Sequence, residues 1–160
     1  NIIIETRRFA DCWWGTAEPI VLTTHERNEG VPSGKISNIR FTNITCDGEN
    51  GVFLSGCEGN HIEDVLFDRV QVTLRRKSKW ERGLYDLRPG HDQGIEKITS
   101  PGFLMRRADG ITLRDCRVRF EGEDLSDFGQ AVYAYDCKDI TLDRFDGKAA
   151  REGFEDVELS

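Results

Sequence analysis

Four segments of this 160-residue chain superimpose, and each contains the same one-residue slip in the spacing of its apolar side chains. They span residues 38–44, 64–70, 110–116 and 139–145, and each reads polar, apolar, polar, apolar, polar, polar, apolar. Apolar residues two apart mark a strand with one buried face. Here the apolar set runs Ile39, Phe41, then Ile44, Cys46, and it recurs as Val65, Phe67, Val70, Val72 and as Ile111, Leu113, Cys116, Val118. In a straight strand the slip would turn every later side chain outward. The chain must bend there and keep pointing the same residues inward, so a strand, a corner and a second strand recur.

A third strand is expected before each unit, over residues 19–24, 51–55, 102–106 and 130–135, where apolar residues again alternate. The equivalent positions Ile39, Val65, Ile111 and Ile140 are 26, 46 and 29 residues apart, so one unit carries an insertion, assigned to residues 75–101. Three short strands per unit make a coil, and stacked coils make a parallel β-solenoid in which each coil buries its inner face against its neighbours. The competing fold is a β-sandwich of hairpins, which would place two-residue turns between paired strands. Asp47-Gly48, Asn50-Gly51 and Asp109-Gly110 fall at fixed places in the unit instead. The expectation is a single all-β domain over residues 1–160, a partial solenoid of about five coils.

The two ends match interior positions. Asn1-Ile2-Ile3-Ile4 aligns with Asn43-Ile44-Thr45-Cys46, so the chain is expected to open at a corner. Asp156-Val157-Glu158-Leu159 aligns with Asp64-Val65-Leu66-Phe67, so it is expected to stop just before another. Solenoids normally close with polar or helical caps. Ends of this kind are expected of a piece of a longer protein, and their open strand edges could pair with another copy.

Composition narrows the partners. Twenty-two basic residues against 29 acidic ones give a net charge of −7, which argues against a nucleic-acid binder. No stretch approaches the roughly 18 apolar residues of a membrane span. The five cysteines show neither CxxC spacing nor histidines at zinc-finger intervals, which argues against a disulfide scaffold, and Cys46, Cys116 and Cys137, inside or beside apolar runs, read as small buried hydrophobes. No metal or cofactor is expected.

The repeat, together with the blocks Trp13-Trp14-Gly15, Glu49-Asn50-Gly51-Val52-Phe53-Leu54 and Tyr85-Asp86-Leu87-Arg88-Pro89 in this order, resembles the C-terminal half of bacterial proteins of glycoside hydrolase family 28, the polygalacturonase family. The likeness covers nearly the whole chain. It implies a right-handed parallel β-helix and hydrolysis of a glycosidic bond with inversion, by aspartates clustered on one sheet. That chemistry needs an acid and a carboxylate base roughly 6.5 to 9.5 Å apart. Family members take them from Asn-Thr-Asp and Asp-Asp motifs, followed by Gly-His-Gly and Arg-Ile-Lys. None of the four occurs here, and Gly90-His91-Asp92 falls in the inserted loop. No catalytic residue is assigned. The reading is the C-terminal part of a polygalacturonase-like enzyme acting on pectin-like polysaccharide, inactive alone, and the alternative is a non-catalytic carbohydrate-binding or self-assembling module.

The resemblance places the family's cleft on the outer face of the third-strand sheet. Val21 and Thr23 alternate with the inward Ile20 and Leu22, and so face out. His25 and Arg27 follow, in Thr24-His25-Glu26-Arg27, where the family usually shows a tyrosine. His25 could hydrogen-bond a sugar or act as a base, or be a solvated loop histidine. Trp13 and Trp14 suit stacking on a sugar, but neighbours on an extended chain point opposite ways, so at most one is expected at a binding surface while the other packs. In the inserted loop Trp80, Tyr85, Asp86, Arg88 and His91 are candidates for an oligo- or polysaccharide. The loop's structural reading is a flap packing Leu84, Tyr85 and Leu87, its turn fixed by an Asp86–Arg88 pair. The basic run 75–79 could meet a uronate carboxylate, but reads first as a solvated face. The corner residues Asn43, Arg69, Asp115 and Arg144 alternate so that adjacent coils could pair charges, a role in stability.

Overall fold

In the computed structural model, which describes residues 1–11 and 15–160, the chain is all-β, and the described residues form no helix. The described residues form thirteen strands: β1 (Ile2–Glu5), β2 (Val21–Thr23), β3 (Ser37–Gly48), β4 (Val52–Ser55), β5 (Ile62–Arg75), β6 (Leu84–Asp86), β7 (Ile95–Lys97), β8 (Phe103–Arg106), β9 (Ala108–Arg114), β10 (Arg117–Glu121), β11 (Val132–Tyr135), β12 (Thr141–Asp143) and β13 (Val157–Leu159). One sheet has the order β1-β3-β5-β9-β12, with β10 also beside β5. The second has the order β2-β4-β8-β11-β13. Every pairing in both is parallel. Spatial order follows chain order, so the chain passes from one sheet to the other and back, extending each in turn.

The slip in the apolar pattern has its backbone counterpart. Asn43, Arg69, Asp115 and Arg144 adopt left-handed φ values of 57°, 54°, 51° and 51°. Each turns the chain immediately before the next inward residue, so Val65 and Phe67 before the bend and Val70 and Val72 after it are all buried. A left-handed residue with a Cβ costs roughly 1–2 kcal/mol. Side chains hold the bend: Arg69 Nε donates to Asn43 Oδ1 at 2.6 Å, and Arg144 binds both oxygens of Asp115 at 2.6 and 2.8 Å. A second bend opens each repeat at Asn38, Asp64, Gly110 and Asp139, with φ of 60°, 52°, 64° and 55°. Asn, Asp and Gly tolerate this region best. Replacing the exposed Asp139 with β-branched valine is therefore expected to cost about 1–2 kcal/mol, read as a lower urea midpoint.

The core lies between the two sheets. It joins Val65, Phe67, Val70 and Val72 of β5 to Leu54, Phe103, Met105, Val132 and Ala134 of the second sheet. The loop after β5 returns as an antiparallel hairpin, β6 against β7, with Tyr85 opposite Glu96. It covers the outer face of the second sheet, where Tyr85 and Leu87 pack on Phe53 and Leu104.

One end of the chain departs from expectation. Ile2 does pair with Ile44, as the match to the corner segment requires. Val157 does not occupy the position of Val65: β13 pairs with β11, Val157 opposite Val132, and so belongs to the second sheet. A three-residue alternation is the same in either sheet, so only the pairing distinguishes them.

Candidate functional site

The outer face of the second sheet presents a row running across four strands in register, Thr23, Ser55, Arg106 and Tyr135. These side chains alternate with Leu22, Leu54, Met105 and Ala134, which face the core. Arg106 is buried and organises the row. Its Nε donates to Ser55 Oγ at 2.6 Å, and its Nη1 donates to Glu96 of the flap at 2.5 Å and to the Tyr135 hydroxyl at 3.0 Å. Its guanidinium also lies 5.4 Å from the centre of the Phe53 ring.

Just beyond β2, His25 Nε2 is 2.9 Å from Ser55 Oγ. A guanidinium only donates, so the serine oxygen accepts from Arg106 and its own proton is free to point at His25. That arrangement needs a neutral imidazole. Burial lowers the His25 pKa, and the nearby Arg106 and Arg107 cations lower it further. In the tautomer protonated at Nδ1, Nε2 accepts from a hydroxyl that is itself fully buried, and in the other it donates to the same oxygen. In both, His25 forms part of a wall with Nε2 engaged by Ser55.

The flap and the first strands of the sheet enclose a cavity of about 460 Å³. Phe53, Leu87 and Pro89 supply apolar lining, and Thr23, His25, Arg27 and Arg88 supply polar groups. Two carboxylates also line it, and both are engaged. Asp86 receives Arg88 Nε at 2.8 Å and Nη2 at 2.7 Å, and Glu18 receives the Thr16 amide at 2.8 Å and the Thr16 hydroxyl. Arg27 is exposed and has no carboxylate partner among the described residues. The cavity thus combines the exposed apolar side chains of Val21 and Pro89 with one cation that has no carboxylate partner among the described residues. Among the described residues no group of His, Cys, Asp and Glu is arranged to hold a metal ion.

Of the residues expected to form the site, Thr23, His25, Arg27, Asp86 and Arg88 come together here. His91 lines an adjoining cavity with His25, Glu26 and Arg107, and its amide donates to the Glu26 carbonyl at 2.6 Å, docking the flap tip. Tyr85 is removed from the candidates. It is fully buried, tilted against Phe53, and its hydroxyl pairs with Ser100 Oγ at 2.9 Å. The flap reading accounts for it, and Leu87 and the Asp86–Arg88 pair take the places that reading gives them. Trp80 lies outside the cavity lining, half-buried, with Lys79 Nζ 5.2 Å above its ring. Trp13 and Trp14 fall outside the described residues. Ser55, Arg106 and Glu96 were not singled out from the sequence. The first two occupy outward positions that alternation predicts, but their burial comes from the flap.

The chain matches no family model, no curated protein and no solved structure.

Proposed function

We propose that the two parallel sheets are faces of a right-handed parallel β-helix, and that the chain is the C-terminal, saccharide-holding part of a glycoside hydrolase of the polygalacturonase type. In this reading the flap-bordered cavity holds units of a pectin-like polysaccharide. Apolar sugar faces pack on the exposed Val21 and Pro89 at the cavity lining, while Arg27 meets a sugar carboxylate. The observation that carries the reading is this combination of exposed apolar side chains and a cation without a carboxylate partner among the described residues, in a protein of net negative charge. The chain contributes no cleavage of its own, because both lining carboxylates are tied to neighbours and neither is left to act as a free acid and base pair.

Titration of the chain with hexagalacturonate, followed by calorimetry, tests this. Binding should weaken about tenfold in Arg27→Ala, the loss of one charge-assisted hydrogen bond, and no reducing ends should be released. An equal affinity for the wild type and Arg27→Ala, or an absence of binding at millimolar sugar, would overturn the proposed site. Release of new reducing ends by the pure chain would overturn the assignment as non-cleaving.

A further inference from the structure

The flap covers only the middle of the second sheet. Along its first outward row, Val21, Phe53, Leu104, Tyr133 and Glu158 lie in register. Phe53 and Leu104 are sealed beneath Tyr85 and Leu87, whereas Tyr133 and its neighbour Tyr135 pack on the far margin of that cluster and stay partly exposed. Both tyrosines project from the same face of β11, with ring centres 5.4 Å apart and planes inclined by 40°. Two adjacent, partly exposed aromatic rings on one face of a parallel sheet offer apolar surface to a ligand.

The surroundings of these rings are rigid. Tyr135 is fixed through its hydroxyl by Arg106, which is in turn held by Ser55 and Glu96. Across from Tyr133, Glu158 receives the Gln130 side-chain amide on Oε2 at 2.5 Å. Gln130 is buried, so this contact orients the carboxylate and leaves Oε1 as an acceptor beside the rings. A fixed acceptor next to two aromatic faces suits a ring that has an apolar C–H surface and equatorial hydroxyls at its edge. The same carboxylate disfavours an anionic sugar, because Glu158 has no cationic partner among the described residues.

We propose that Tyr133, Tyr135 and Glu158 form a second carbohydrate-binding surface, for neutral pyranose chains with equatorial hydroxyls, on the opposite side of the flap from the cavity. It shares no residue with that cavity and accepts the opposite charge class of sugar, so the two can fail separately.

Cellohexaose is the probe, titrated into the full chain and followed by calorimetry and tyrosine fluorescence. Tyr133→Ala should weaken binding at least tenfold, and Glu158→Ala about threefold to tenfold. Tyr133→Phe, which keeps the ring, should remain within about twofold of wild type, and Arg27→Ala should bind cellohexaose as wild type does. Absence of binding at millimolar cellohexaose overturns the proposal, as does unchanged affinity in Tyr133→Ala. Loss of binding in Arg27→Ala would place the sugar in the cavity instead. If Tyr133→Ala does not fold, Glu158→Ala and Tyr133→Phe decide: unchanged affinity in Glu158→Ala, or loss of binding by a folded Tyr133→Phe, overturns the surface as described.

Discussion

Glu49→Ala is expected to destabilise the protein by about 3–5 kcal/mol, a large part of the 5–15 kcal/mol typical of a whole domain. Glu49 is fully buried between β3 and β4. Its carboxylate receives the backbone amides of Arg8 at 2.8 Å, Lys77 at 2.8 Å and Ser78 at 2.7 Å. It also lies 3.3 Å from Nη1 of the buried Arg82. One side chain therefore ties the segment after β1 and the base of the flap to the turn between the two sheets. Alanine would leave the buried Arg8 amide and the partly buried Lys77 and Ser78 amides without their acceptor, and remove one of the two carboxylates around Arg82, leaving Asp127 at 2.8 Å. At about 2–4 °C per kcal/mol for a chain of this size, the melting temperature should fall by about 6–20 °C. A loss of under about 1 kcal/mol would mean that the three amides find other acceptors.

The same group has a predictable pH signature. Burial alone would raise the Glu49 pKa, but the amides of Arg8, Lys77 and Ser78 outweigh it and hold the carboxyl below its ordinary value of 4.5. A carboxylate with a depressed folded pKa contributes stability that is complete above its unfolded pKa and is lost as pH falls through the folded one. The stability difference between wild type and Glu49→Gln should therefore be constant from pH 7 to about 5 and shrink below 4.5. The comparison isolates Glu49 from Asp47, Asp115, Asp124 and Asp146, whose pKa values are also lowered and which titrate in both proteins.

The contrast between Glu49 and the corner residues explains what can be read from this chain without coordinates. The bend before Ile44, Val70 and Cys116 is legible because burial is periodic and any break in phase needs a geometric cause. The hydrogen bond from Arg69 to Asn43 and the ion pair of Arg144 with Asp115 follow from equivalent positions in adjacent repeats, one strand spacing apart. Glu49 shows no such signature. It sits in Asp47-Gly48-Glu49-Asn50-Gly51, which has the composition of a solvated turn, and its partners lie 41, 28 and 29 positions away. Those partners are backbone amides, which every residue type supplies equally.

The candidate site divides the same way. Thr23 as an outward residue and Asp86 with Arg88 as a local pair are short-range inferences. Tyr85 is open in sequence to two readings, a ligand-facing aromatic and a flap residue packed on the sheet, and its burial against Phe53 decides for the second. The reverse holds for Tyr133 and Tyr135, whose alternation with Val132 and Ala134 marks them as outward. Their value as a platform depends on where the flap stops, which is a property of the hairpin and its contacts with Phe53 and Leu104. The sheet to which β13 belongs is likewise a matter of pairing partner, which a strand of three residues does not encode.

Phe67→Ala should cost about 3–5 kcal/mol, the range for removing a buried aromatic and leaving a cavity. Phe67 has no exposed surface. It lies opposite Phe41 and Leu113 on the neighbouring strands, stacked on Phe41 with centroids 4.9 Å apart and planes within 13°. It also meets Phe103 of the second sheet edge-on at 5.4 Å. The ring therefore contributes both to the stacking of strands within one sheet and to the contact between sheets, and neighbours held by parallel ladders on both sides cannot close the space it leaves. Leu66→Ala provides the matched control, because the adjacent side chain points to the opposite face and is only partly buried. Its cost should be about 1 kcal/mol. Urea unfolding of the two variants reads the difference directly. Equal losses would mean that the strand does not present alternate residues to a shared core, and the pairing of both sheets through Phe67 would be wrong.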